Sequence, residues 1–232
     1  MKIAILGGTG KEGMGLALRW LKAGHSVIIG SRDVERARAR AEELRAQPGG
    51  DAGGMTNRDA AATGELLVLT LPYAGLAATL PEVRAACEGK VVVSAVVPLT
   101  FGGGRLFNPP PIGSAAEEAQ QLLGAAARVV AAFHHIAAHE LASLDQPIDC
   151  DLLLCGDDAT AKRQVAELGA SMGLRALDAG PLSNAGLLEG ITALLATLNR
   201  RYKAKNAGIK ITGLSRGAGA ASAGALEAPS DY

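Results

Sequence analysis

Short apolar runs recur along the chain, each closed by glycine, proline or a polar turn and followed by a stretch with apolar residues three or four apart. Ile3 to Leu6 is the first such run and predicts a strand. Residues 11 to 23 then carry Met14, Leu16, Ala17, Trp20 and Leu21 at helical spacing, with Arg19 and Lys22 outward and Gly24 as the stop. Val27 to Ile29 predicts a second strand, turned by Gly30, Ser31 and Arg32. Asp33 can cap a charged helix running to Ala46, where Pro48, Gly49 and Gly50 end it.

The pattern weakens over residues 51 to 65, where Gly53 to Thr56 is at best a poor strand and Asn57 opens a short alanine-rich helix. It returns in Leu66 to Leu71, a buried strand ended by Pro72, and in Tyr73 to Ala86, a helix that Pro81 could divide. Val91 to Ser94 is a further strand, followed by the one long loop, Thr100 to Gly113. Ser114 and Glu117 form a capping-box pattern for a helix to Leu123. Arg128 to Phe133 and Asp151 to Cys155 read as strands, Gly156 leads into a helix to Met172, and Leu174 to Ala179 closes the alternation.

The last helix, Asn184 to Lys203, places Leu187, Leu188, Ile191, Leu194, Leu195 and Leu198 at three- and four-residue spacing, so one face must be covered. The sum is an α/β, Rossmann-type doubly wound and mostly parallel sheet with a small C-terminal helical segment. Residues 1–180 form the dinucleotide-binding domain, 181–214 the helical segment, and 215–232 a flexible tail rich in Gly, Ala and Ser.

Composition narrows the class of function. Lysine plus arginine equals aspartate plus glutamate at 23 each, which gives no basic field for nucleic acid or an anionic membrane. No run of about 18 uncharged apolar residues suggests a membrane span, and Met1-Lys2 opens no signal peptide, so a cytoplasmic protein is expected. Cys87, Cys150 and Cys155 have no metal or redox spacing and read as reduced, packed thiols.

The chemistry starts at the first turn. Gly8, Gly10 and Gly13 fit G-x-G-x-x-G between a strand and a helix, with Thr9, Lys11 and Glu12 between them. Glycines there allow a tight turn, close approach of a pyrophosphate and tight helix–strand packing, and the helix start supplies free N–H groups. At the end of the second strand, where an NAD-binding chain carries a carboxylate for the ribose 2′-hydroxyl, stand Ser31 and Arg32, with Arg36 one helical turn on. A hydroxyl and guanidinium groups suit a 2′-phosphate, hence NADP(H). Thr70, Leu71 and Pro72 end a central strand and should border the dinucleotide; His134, at another strand end, is a pocket candidate.

Acid–base constellations are missing. No tyrosine has a lysine four residues on, and there is no G-x-S-x-G elbow or P-loop. His135 and His139 have i,i+4 spacing, yet Ile136 stands where a zinc protease has its glutamate and no third ligand is evident, so no metal is expected. Hydride exchange with a second ring cofactor needs orientation and dryness more than a proton donor, and fits this inventory.

Leu6-Gly-Gly-Thr-Gly10, Gly30-Ser-Arg32, Leu69-Thr-Leu-Pro72, Ser94-Ala-Val-Val-Pro98, Cys155-Gly-Asp-Asp158 and Asp178-Ala-Gly-Pro-Leu-Ser-Asn184 follow one another in the order and spacing of a known family. From Lys2 to Ile211 the chain resembles the NADPH:coenzyme F420 oxidoreductases. The resemblance implies hydride transfer between nicotinamide C4 and deazaflavin C5, with NADP(H) and F420 as small-molecule partners. It implies that Thr9, Ser31, Arg32 and Arg36 bind NADP phosphates and that Thr70, Leu71 and Pro72 flank its bridge and ring. Val97, Pro98, His134, Ile136, Ala137, Ser183 and Thr192 would form the nicotinamide and deazaflavin pocket. It also implies a homodimer through the C-terminal region, with residues 181–214 completing the deazaflavin site. The chain departs from the family in His134-His-Ile-Ala-Ala138, where the family tends to have His-Thr-Ile-Pro-Ala; the extra histidine is expected to change the pocket's polarity and the lost proline to loosen the backbone. An NADPH-dependent flavin or metal-chelate reductase, or an NADP-sensing Rossmann protein without catalysis, are the alternative readings.

Overall fold

A computed structural model describes residues 1–47, 50–102 and 104–214. The expected stop at Pro48 and Gly49 and the expected flexible tail over 215–232 lie outside the described residues. Among the described residues eight strands form one sheet: β1 (Lys2–Leu6), β2 (Ser26–Ser31), β3 (Ala52–Thr56), β4 (Leu66–Leu69), β5 (Val91–Ser94), β6 (Arg128–Ala132), β7 (Asp151–Gly156) and β8 (Arg175–Asp178). The helices are α1 (Lys11–Lys22), α2 (Val34–Arg45), α3 (Asn57–Thr63), α4 (Leu76–Cys87), α5 (Ala115–Leu123), α6 (Ala138–Ala142), α7 (Ala159–Ser171) and α8 (Ala185–Tyr202).

The strand order is β3-β2-β1-β4-β5-β6-β7-β8, and every pairing is parallel except β6 with β7. Successive residues of each central strand enter different cores. Ile3, Ile5 and Val68 pack in one with Trp20 of α1 and Val165 of α7. Ala4, Leu6 and Leu67 pack in the other with Leu80 of α4 and Leu188 of α8. That alternation makes the sheet doubly wound, with helices on both faces.

Register fixes where a ligand can lie. Met55, Gly30, Leu6, Leu69, Ser94 and Ala131 stand in one row across six parallel strands, so their carboxyl ends emerge along one edge. The chain leaves β1 for β2 on one side and later returns to β4 on the other. This reversal opens the crevice in which doubly wound folds hold dinucleotides.

Two sequence expectations need correction, and the alternative of a helix divided at Pro81 closes. Gly53 to Thr56, read as a poor strand, belongs to β3 and pairs fully with β2. A Cβ on Gly54 would lie 2.5 Å from the backbone of Ala37, so the glycine is what lets α2 press onto the sheet, and packing overrides propensity. Pro81 does not divide its helix, because α4 runs on from Leu76 to Cys87. The N–H that Pro81 lacks would have met the carbonyl of Ala77, and both residues are exposed, so water can serve that carbonyl. Phe133, expected to end a strand, instead turns the chain with φ of 68° directly after β6.

Candidate functional site

The glycine turn is built by close approach. Gly7 takes φ of 73°, and a Cβ there would meet Leu71 at 2.7 Å. A Cβ on Gly13 would lie 2.6 Å from the Cα of Gly8, so the start of α1 touches the turn that leads into it. Gly10 precedes α1 with extended backbone and no side-chain cap, and open space surrounds its missing Cβ. The amides of Lys11, Glu12 and Gly13 meet no protein acceptor among the described residues. Free amides, open space and a helix dipole together favour an anion. Thr9 is nearly buried in the turn and Lys11 is exposed.

Asn57 was not singled out in the sequence. Its Oδ1 accepts the Gly7 amide at 3.1 Å, and a Cβ on Gly30 would crowd that same atom at 2.9 Å. The asparagine thus holds the turn from the end of β3. Its position at a strand's carboxyl end was the available signal.

At the end of β2, Ser31 is 8% exposed, and its Oγ accepts the Asp33 amide at 3.1 Å. Asp33 caps α2 by accepting the amides of Glu35 and Arg36. Three arginines of α2 are spent on neighbouring carboxylates: Arg38 with Glu35 at 2.7 Å, Arg40 with Glu43 at 2.6 Å and Arg45 with Glu42 at 2.5 Å. Arg32 and Arg36 are exposed and form no ion pair among the described residues. Ser31 and Arg32 border a cleft of about 310 Å³ with Thr56, Asn57, Arg58 and Glu82, whereas Arg36 lies outside its lining. Arg58, a further cation without an ion-pair partner among the described residues, was missed because it follows the weakest strand of the sequence.

The ring end is largely uncharged, and its residues range from buried to exposed. Thr70 gives both its amide (3.0 Å) and its hydroxyl (3.3 Å) to the carbonyl of Leu6, tying β4 to β1 at the crevice. Leu71 is buried and Pro72 exposed, while Val97 is half-buried and Pro98 buried. Phe133 is wholly buried, its ring meeting Trp20 edge-on at 5.6 Å, and this packing holds the left-handed backbone that precedes His134. His134 is 6% exposed, and neither ring nitrogen has a partner among the described residues. Burial, with His135 adding a smaller effect, lowers its pKa to about 3, so the ring is neutral. Thr192 of α8 donates its hydroxyl to the His134 carbonyl at 3.0 Å, which brings those two residues together. Ile136 belongs to the buried core, Ala137 is half-buried at the start of α6, and Ser183 is exposed on the turn Leu182–Asn184.

His135 does not act as expected. Its ring is buried with Nε2 2.8 Å from the carbonyl of Asp151, so it joins β7 instead of adding polarity to the pocket. It also shares no helix face with His139, because α6 begins only at Ala138 and His139 is exposed.

Glu12 adds an unexpected group. It stands in the first turn of α1 with Oε1 buried and unpartnered, and burial raises its pKa to about 8. A carboxyl that keeps its proton at neutral pH does not repel a phosphate at the same helix start. The free thiols Cys87, Cys150 and Cys155 are buried, with pKa values pushed up to about 11, 12 and 12, and offer no nucleophile. The arrangement can hold a dinucleotide phosphate at the glycine turn and extend it across the strand ends.

Comparison with known proteins points the same way. Residues 2–98 match the family described as NADP oxidoreductase, coenzyme F420-dependent. The chain is 44% identical over 224 residues to the F420-dependent NADP reductase of Methanocaldococcus jannaschii, covering 92% of this chain and 99% of that one. It is 43% identical over 222 residues to the protein of that name from Methanothermobacter thermautotrophicus, with 92% and 96% covered. Among solved structures, a candidate F420-dependent NADP reductase from Arthrobacter sp. FB24 superposes with a TM-score of 0.79 at 29% identity, over 91% of this chain and 99% of that chain.

Proposed function

The chain belongs to the F420-dependent NADP reductase family, and on that premise we propose that it passes a hydride between C4 of the NADP nicotinamide and C5 of the deazaflavin F420. In one direction reduced F420 gives up two electrons and a hydrogen to NADP⁺, forming NADPH, and a proton leaves to solvent. In the other, NADPH and a proton reduce F420.

The observation that carries this reading is the contrast along one edge of the sheet: amides of the glycine turn and arginines after β2 without partners among the described residues at one end, and a buried, neutral imidazole at the other. Thr9, Ser31, Arg32 and Arg36 are assigned to the NADP phosphates, beside the glycine turn over Gly8 to Gly13. Thr70, Leu71 and Pro72 flank the bridge and ring. Val97, Pro98, His134, Ile136, Ala137, Ser183 and Thr192 are assigned to the two-ring pocket, with residues 1–180 binding NADP and 181–214 completing the deazaflavin side. These residues bind, orient and exclude water, and the hydride chemistry belongs to the two rings.

The exposed side of α8 supports a homodimer. Leu187 is 70% and Leu194 56% exposed, with Ile191 between them on the same face. The reading places the enzyme in the cytoplasm; no described helix is long and apolar enough to cross a membrane.

Stopped-flow absorbance tests the reaction. NADPH should be consumed on mixing with F420, one equivalent for each deazaflavin reduced. Oxidation by flavin or ferric chelate but not by F420 would transfer the assignment to another NADPH-linked reductase. Tight NADPH binding with no oxidation by any of the three would make the chain a sensor.

A further inference from the structure

The two sides of the proposed site are tied to two helices, α5 and α8, which Glu189 joins. On the dinucleotide side, Tyr73 follows Pro72 directly, and its hydroxyl donates to Oε2 of Glu118 on α5 at 2.7 Å. On the acceptor side, Thr192 of α8 holds the His134 carbonyl at 3.0 Å. Glu189, one turn before Thr192, joins the two. Its Oε2 accepts the Ala115 amide at 3.0 Å and its Oε1 the Ala116 amide at 3.1 Å, both at the start of α5.

This carboxyl is costly where it stands. Glu189 is wholly buried, and no cation pairs with it among the described residues. Ser114 caps α5 by accepting the Glu117 amide at 3.0 Å, and Glu189 takes the Ala115 and Ala116 amides that Ser114 leaves, so an acceptor from another helix completes the cap. What Glu189 adds is registration, because two diverging acceptors fix both the position of α8 along α5 and its rotation. Close contacts around it need that register. A Cβ on Gly186 would lie 2.9 Å from the Gly113 carbonyl, and the corresponding place on Gly190 is 3.6 Å from the Phe107 ring.

We propose that Glu189 is a positioning residue for hydride transfer. Through α5 and α8 it holds the His134 turn at a fixed distance from the Pro72–Tyr73 edge, and so sets the spacing of nicotinamide and deazaflavin. The proposal rests on the reaction assigned above. Hydride transfer is steeply sensitive to donor–acceptor distance, so a small displacement of α8 acts on the rate and not on NADP binding.

The test is single-turnover hydride transfer from NADPH to F420, with both saturating, in the wild type, Glu189→Gln, Glu189→Ala, Thr192→Val and the Glu189→Ala/Thr192→Val pair. Circular dichroism melts establish that each variant is folded at the assay temperature. Glu189→Ala should slow transfer by about tenfold or more. Glu189→Gln, which keeps one acceptor, should be intermediate. NADPH dissociation constants should stay within about twofold, since the glycine turn and Arg32 are untouched. The primary isotope effect with 4-deuterated NADPH should become more temperature-dependent. The double variant should be little slower than Glu189→Ala, because both residues act through one strap.

Transfer rates and isotope effects unchanged in folded Glu189→Gln and Thr192→Val overturn the proposal even if the alanine variant does not fold. NADPH affinity falling in step with the rate overturns it as well, by showing a general loosening. Absence of hydride transfer in the wild type would remove the reaction assignment itself, and this proposal with it.

Discussion

The two ends of the crevice are built by opposite means. At the β1 end nearly everything is backbone: Gly7, Gly8, Gly10 and Gly13 leave out side chains so that amides can face an anion, and Asn57 serves only to hold one of them. At the β6 end the backbone is strained at Phe133, and buried side chains fix a pocket whose one imidazole is neutral. In the proposed reading the first arrangement recognises charge that any dinucleotide carries, and the second selects by shape. A difference of this kind predicts that damage at one end should spare the other.

Gly13→Ala should give the largest effect. Its methyl would lie 2.6 Å from the Gly8 Cα, within backbone that cannot move aside. We expect NADPH affinity to fall by about a hundredfold or more and stability by about 3 kcal/mol, read by fluorescence titration and denaturant unfolding. Normal NADPH binding in this variant would break the contrast at its firmest point.

Arg32→Ala comes next. NADPH binding should weaken by about 2 kcal/mol, near thirtyfold, with NADH binding almost unchanged. Arg58→Ala should show the same selectivity at a few-fold, fading with added salt as an exposed contact does. An equal loss for NADPH and NADH would remove the 2′-phosphate assignment.

His134→Ala sharpens the other end. It should impair F420 turnover by about tenfold while changing the NADPH dissociation constant by less than about twofold. Because burial holds the ring's pKa at about 3, His134 itself should add no inflection at the ordinary histidine value of 6.5, so the pH profile of the transfer rate should keep its shape in His134→Ala. The reverse pattern of losses would move His134 to the dinucleotide side.

The smallest expected effect concerns Glu12, whose pKa rises from 4.5 to about 8 in the folded chain. Between those values the folded state keeps a proton that the unfolded state releases, so stability falls as pH rises across that window. Glu12→Gln removes this slope. Thermal melts should show the variant gaining on the wild type steadily as pH rises from about 5 to about 8. Parallel curves would mean that the carboxyl is ionised and solvated.

The dinucleotide half was the more legible in the sequence because its determinants are local. A strand, a glycine turn and a helix start lie within Ile3 to Lys22, and Ser31 with Arg32 sits where the spacing rule looks. Asn57 and Arg58 escaped because β3 is glycine-rich and its strand character comes from α2 packing against Gly54, a long-range contact. In the acceptor half the decisive relations are distant in the chain. Glu189 reaches Ala115 across 74 residues, and His135 turns to β7 by contacts that no periodicity records. Residue types there announced only burial, and the register that gives them meaning belongs to the packed structure.

The most direct test follows the hydrogen itself. Reduction of F420 by NADPH deuterated at C4, in the 4R and 4S forms separately, should place deuterium from one form on C5 of the deazaflavin in a single turnover in ordinary water, as read by mass spectrometry. Retention of that label is the result expected of two rings held in direct contact in a dry pocket. A reduced deazaflavin with no deuterium from either form would contradict direct ring-to-ring transfer.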